Sequence, residues 1–101
     1  MITSLSVQWR MDEFCELAGL PAECLIEIVE QGILDPGGQA PEEWLFDAAA
    51  LAIAKRAARL QRDLEIDWPG IALALSLLDE LEQLRAENAM LKRRLGRFLQ
   101  E

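Results

Sequence analysis

The chain has 101 residues, a net charge of −8 and a hydrophobic fraction of 51%. That length allows one domain, or a small domain carrying one extended element, and the apolar fraction excludes a disordered chain. Zero histidines and two cysteines exclude the usual zinc patterns, and no apolar run reaches the roughly 20 residues of a membrane helix.

From the N-terminus, Met1 to Val7 lacks a charged segment followed by an apolar one, so no signal peptide is expected and the chain reads as cytoplasmic. Val7, Trp9 and Met11 alternate with polar Gln8 and Arg10, which predicts a short half-buried strand. Asp12 is placed to cap a first helix over 13–18, with Phe14, Leu17 and Ala18 facing inward and Gly19 ending it. Pro21 opens a second helix, with Leu25, Ile28 and Val29 on one side and Gly32 at its end. Cys15 and Cys24 each fall in one of these helices and read as reduced, core-lining thiols. Acidic neighbours such as Glu13, Glu16 and Glu23 disfavour a reactive thiolate.

Ile33 and Leu34 suggest a brief strand, and Asp35-Pro36-Gly37-Gly38 is turn chemistry leading into a polar loop. Trp44-Leu45-Phe46 reads as a strand able to pair with the Trp9 segment and close a small wing. Asp47 caps a third helix running to about Leu64, with Ile53, Ala57, Leu60 and Leu64 as the expected inward stripe. Lys55, Arg56, Arg59 and Arg62 lie on its other faces. Asp67-Trp68-Pro69-Gly70 then starts a last helix that nothing but Gly96 interrupts.

That helix carries Leu77, Leu81, Leu84, Asn88, Leu91, Leu95 and Phe98 at alternating steps of 4 and 3, a heptad seam. With Leu81, Asn88 and Leu95 at a, Asn88 is the single polar a residue that fixes register. Glu80 with Arg85, and Glu87 with Lys92, then form complementary pairs across a parallel dimer. A homodimer is expected, with an antiparallel arrangement left open by so short a seam.

Charge divides the chain. Residues 1–54 sum to −9 and residues 55–101 to +1. Glu23, Glu27 and Glu30 stand at i, i+4, i+7, three carboxylates on one face of the second helix. In a helix-turn-helix this is the DNA-facing element, and DNA phosphates demand Lys and Arg there. Direct nucleic-acid binding is therefore not expected, and the acidic face, with Glu16 and Asp35 as neighbours, points to a basic protein partner. No enzyme is expected. Tyr and His are absent, the hydroxyls are Thr3, Ser4, Ser6 and Ser76, no Gly-rich phosphate loop is present, and no cofactor or metal is implied.

The order helix–Gly–helix–wing–helix–helix resembles the MerR-type winged helix-turn-helix, through Met11–Leu20, Gln31-Gly32-Ile33-Leu34-Asp35-Pro36, Trp44-Leu45-Phe46-Asp47 and the Leu60–Leu75 junction. The fold expected is mainly α: a winged helix-turn-helix with a small β wing over residues 1–66, and a long coiled-coil-like helix over 67–101. The chain departs from the MerR pattern at Glu23, Glu27 and Glu30, where the family carries basic and aromatic residues. It departs again at Pro41-Glu42-Glu43, where the family's wing bears arginine. Leu64-Glu65-Ile66-Asp67-Trp68-Pro69-Gly70-Ile71-Ala72-Leu73-Ala74-Leu75, with Phe14-Cys15 and the 79–84 and 87–98 stretches, is similar to the CbpM family of bacterial chaperone modulators. That resemblance implies binding to the J-domain of a DnaJ-type co-chaperone, curved-DNA-binding protein A, and inhibition of its Hsp70 stimulation and DNA binding. Glu16, Glu23, Glu27, Glu30 and Asp35 are the residues expected to meet the partner. The alternatives are a MerR-type DNA-binding regulator using Lys55, Arg56, Arg59 and Arg62, and a coiled-coil adaptor using residues 72–100.

Overall fold

A computed structural model describes residues 7–99. Readings that involve Met1–Ser6 or Gln100–Glu101 lie outside the described residues. Among the described residues four helices run in order: α1 (Met11–Ala18), α2 (Ala22–Glu30), α3 (Ala48–Leu64) and α4 (Trp68–Leu99), with a 3-10 turn at Pro41–Glu43.

Helix α1 begins earlier than the sequence suggests. Its N-cap is Arg10 rather than Asp12, because Glu13 reaches back to accept from the Arg10 backbone N–H at 3.3 Å. Gly19 ends it at φ 72, and the N–H groups of Gly19 and Leu20 both donate to the Cys15 carbonyl. Helix α2 closes the same way. Gly32 at φ 79 lets its own N–H donate to Val29 O and the Ile33 N–H to Ile28 O, which satisfies carbonyls left open by the last turn. The two glycines therefore set the angle between α1 and α2 and the direction in which the chain leaves α2.

The predicted wing is reduced. Trp9 and Phe46 exchange two backbone hydrogen bonds of 2.7 and 2.9 Å, and Gly37 forms an antiparallel bridge with Leu45. The Trp9–Phe46 pairing is the one expected, but both contacts are isolated bridges rather than strands. The residues assigned to strand at 7–11 and 33–34 fail to form one for separate reasons. Met11 is drawn into α1, and Leu34 is buried in the core outside any ladder. The loop after Gly38 folds back tightly: a Cβ on Gly38 (φ 99) would sit 2.7 Å from the Glu43 carbonyl oxygen.

Asp47 caps α3, accepting from the Ala50 N–H at 2.9 Å. The buried face of α3 is Ala54, Ala57 and Ala58, with Ala50, Leu51 and Leu60 packed at its edges. Ile53 (41% exposed) and Leu64 (52%) lie outside it, so the expected stripe is correct at Ala57 and Leu60 and displaced elsewhere. The physical reason is volume. Phe14, Phe46, Trp44 and Trp68 crowd the core, and an alanine face lets α3 approach them without overpacking. Leu17 of α1, expected inward, is likewise 45% exposed. Phe14 and Phe46 stack at 4.3 Å with planes 16° apart, and Trp44 meets Phe46 edge-on at 6.1 Å.

Glu65 ends α3 in the left-handed region at φ 54, and its N–H donates to Gln61 O at 2.9 Å. This conformation costs a side-chain-bearing residue about 1–2 kcal/mol, of which glycine would return roughly half after its larger unfolded-state entropy is subtracted. Glu65→Gly is thus expected to raise stability by about 0.5–1 kcal/mol in a urea melt, and a loss would contradict the strain assigned here.

The Asp67 carboxylate accepts from the Gly70 N–H at 3.2 Å and starts α4. Trp68 and Ile71 enter the core and Leu75 packs against it; from residue 79 to residue 95 every side chain of α4 is exposed. At 1.5 Å per residue the 32-residue helix is about 48 Å long. It accounts for extents of 61 × 44 × 21 Å and a radius of gyration of 18.1 Å, against the ~13 Å of a compact chain this size. No helix among the described residues is long and apolar enough to cross a membrane.

Candidate functional site

Helix α2 buries Leu25 and Ile28 and half-buries Cys24, Ile26 and Val29. Its core side is thereby fixed, and Glu23, Glu27 and Glu30 are left exposed. Eight residues at 3.6 per turn make the row two turns, about 10 Å long. Glu16 on α1 and Asp35 after α2 are exposed as well. Among the described residues no hydrogen bond or ion pair engages any of these five carboxylates. Other acids are used locally: Glu13 at the α1 cap, and Glu43 accepting from the Gln39 N–H at 3.2 Å.

A feature with no sequence signal lies beside this face. Met11, Asp12 and Cys15 from α1, Ala22 from α2, and Pro41 and Glu42 from the 3-10 turn surround an open groove of about 680 Å³, with Arg10 also on its edge. These residues come from three separate segments, so only the fold brings them together. The Cys15 thiol in its wall has a pKa raised by burial first, then by Asp12 and by Cys24. Both cysteines are free, half-buried and packed against the core. The acid that matters for Cys15 is Asp12 rather than Glu13, Glu16 or Glu23.

The second candidate surface is the α4 seam. Leu77, Leu81, Leu84, Leu91, Leu95 and Phe98 are between 42% and 79% exposed, and Asn88 is exposed in their midst. A helix folding its leucines back onto its own domain is therefore not what this chain does. The basic residues of α3 are on the surface too, but Arg56 is paired with Glu82 of α4 at 3.8 Å, the one ion pair among the described residues. Trp44 and Trp68, the aromatic side chains best suited to anchor a partner, are buried in the core and serve the fold. Among the described residues no group of three or more His, Cys, Asp or Glu could hold a metal.

A family model described as the MerR HTH family regulatory protein matches residues 9–93. The chain is also similar to proteins named chaperone modulatory protein CbpM. It is 55% identical to the one from Pseudomonas putida KT2440 over 100 residues, which cover 99% of each chain. It is 53% identical to that of Pseudomonas entomophila L48 over the same span. With the protein of Escherichia coli O1:K1 it shares 40% identity over 98 residues, 97% of each chain.

Proposed function

Because the chain belongs to the CbpM family of chaperone modulatory proteins, built on a MerR-type helix-turn-helix, we propose that it acts by binding the J-domain of a DnaJ-type co-chaperone, curved-DNA-binding protein A. Binding would inhibit both the co-chaperone's work with Hsp70 and its DNA binding, in the bacterial cytoplasm and without catalysis. The observation that carries this reading is the exposed carboxylate row Glu23, Glu27 and Glu30, flanked by Glu16 and Asp35. A J-domain presents a basic helix to an acidic Hsp70 surface. A row of unengaged carboxylates two turns long offers that helix a competing surface. Charge complementarity of this kind raises association rates and excludes wrong partners more than it adds raw affinity.

The same carboxylates oppose DNA binding, since a phosphate array facing them would gain repulsion instead of counterion release. The α3 bases Lys55, Arg56, Arg59 and Arg62 are fewer than the carboxylates of residues 1–54, and Arg56 lies 3.8 Å from Glu82. Residues 1–66 thus supply the partner surface, and 67–101 pair two copies through Leu77, Leu81, Leu84, Asn88, Leu91, Leu95 and Phe98. Solvent-exposed leucines in a heptad row support that pairing.

Reversing charge in Glu23→Lys, Glu27→Lys and Glu30→Lys together is expected to weaken J-domain binding by at least about tenfold, a loss of ~1.4 kcal/mol or more. All three sites are exposed, so the thermal melt should hold. Unchanged affinity in a folded triple variant would move the partner surface off α2.

A further inference from the structure

The groove bounded by α1, the start of α2 and the 3-10 turn is framed by apolar and small surfaces, Met11, Cys15, Ala22 and Pro41, with Asp12 and Glu42 at its rim. Its volume of about 680 Å³ lies within the range of roughly 300–1,000 Å³ typical of binding pockets, large enough for more than one aliphatic or aromatic side chain. Three chain segments hold it open. The Gln39 N–H donating to the Glu43 carboxylate and the Glu43 N–H donating to Ala40 O hold the 3-10 turn, and Gly38 leaves the space that the Glu43 backbone occupies. Ala22, first residue of α2, lies in the wall next to Glu23, where the carboxylate row begins.

The sign of the field at the groove decides what it can hold. The N-termini of α1 and α2 open at it, and each contributes at most about half a positive charge. Against these stand Asp12 and Glu42 in the groove lining, with Arg10 as its one base, and Glu13, Glu23 and Glu43 in the same first turns around it. With those neighbours counted, the carboxylates outnumber Arg10 and the two dipoles together, and Asp12 acts on Cys15 in the same sense. This balance disfavours an anionic ligand and favours a cationic one with an apolar face.

We propose that this groove seats the apolar anchor of a basic amphipathic helix, whose Lys and Arg side chains then lie over Asp12, Glu42 and the α2 row that begins at Glu23. The inference rests on the J-domain reading above and supplies what that reading lacks, a hydrophobic contact beside the charges. Apolar anchors in desolvated pockets carry most of the energy of an interface, while rim charges mainly orient it. Helix-in-groove docking lays the apolar face of an amphipathic helix into such a groove. The acidic row without the groove would bind weakly and lose its grip in salt.

The test uses the full chain and an isolated J-domain. Calorimetric titration of the wild type is compared with Ala22→Trp, which fills the groove from an exposed helix-start position. In parallel, alkylation of Cys15 and Cys24 in the wild type is followed by mass spectrometry with and without saturating J-domain. The expected results are an affinity loss of at least about tenfold for Ala22→Trp at unchanged melting temperature, and slower alkylation of Cys15 in the complex. A wild type that binds, with Ala22→Trp binding equally and Cys15 reacting at the same rate, would overturn the groove and leave the J-domain reading intact. A wild type that does not bind at all overturns both. If Ala22→Trp fails to fold, Cys15 protection decides: protection upholds the groove, and its absence overturns it.

Discussion

Truncating Phe14 to alanine is expected to lower the unfolding free energy by about 3–5 kcal/mol, the largest single-site loss in this molecule. Phe14 is 0% exposed and stacks at 4.3 Å on Phe46, itself 1% exposed. The ring joins α1 to the segment that pairs with Trp9, so its removal leaves a cavity between elements that alanine-faced α3 cannot close by adding volume. A domain of this size holds only about 5–15 kcal/mol in total. The melting temperature should therefore fall by roughly 15–30 °C. Phe46→Ala should cost a similar amount, and the double variant less than the sum, because the stacking contact is lost only once. Urea melts of the three variants check this, and a loss under about 1 kcal/mol for Phe14→Ala would mean that the core does not pack as described.

Placing glutamate at both Leu84 and Leu91 is expected to convert a dimer into a monomer. Both side chains are more than half exposed in the single chain and occupy successive d positions of the seam, so in a paired state they meet their counterparts or close neighbours. Four carboxylates would then be buried in two d layers on either side of the Asn88 layer, each at a cost of several kcal/mol with no cation in the seam to offset it. Light scattering on a size-exclusion column should read twice 11.4 kDa for the wild type and 11.4 kDa for the variant. Helicity should fall as well, because the outer part of α4 packs on nothing else and an isolated helix of its length is marginal in water. A wild type that stays at 11.4 kDa at high concentration would remove self-association as the role of this seam.

How much of the fold is legible in the sequence depends on the range of the forces involved. Caps and turns are local, and Gly19, Gly32, Asp47 and Asp67 all act where their chemistry places them. The Trp9–Phe46 pairing is also legible, because two short aromatic segments flanking a helix pair have few other partners. The start of α1 escapes such a reading because Glu13 competes with Asp12 as the capping carboxylate, and reaches the Arg10 N–H. The phase of α3 escapes it because an alanine-rich helix has no sharp apolar edge; its inward face is chosen by the large rings it packs against, which belong to other elements.

The candidate surfaces divide in the same way. The carboxylate row and the heptad seam are periodic along single helices, so spacing alone brings them into view. Spacing cannot show that the seam stays uncovered by its own chain; that depends on the direction in which α4 leaves the core. The groove is invisible to it, since Met11, Ala22 and Pro41 meet only through two glycine turns and a loop folded on Gly38. Trp44 and Trp68 illustrate the converse: residue types that favour interfaces are committed to the core.

The central claim, an acidic surface that captures a basic J-domain helix, is tested most directly by calorimetric titration of the purified protein into an isolated J-domain at low and at moderate salt. Saturable binding is expected at low salt, weakening as the screening length falls to about 10 Å or below near 0.1 M ionic strength and above. Binding that is absent at both salts, or present with an affinity indifferent to salt, would contradict it.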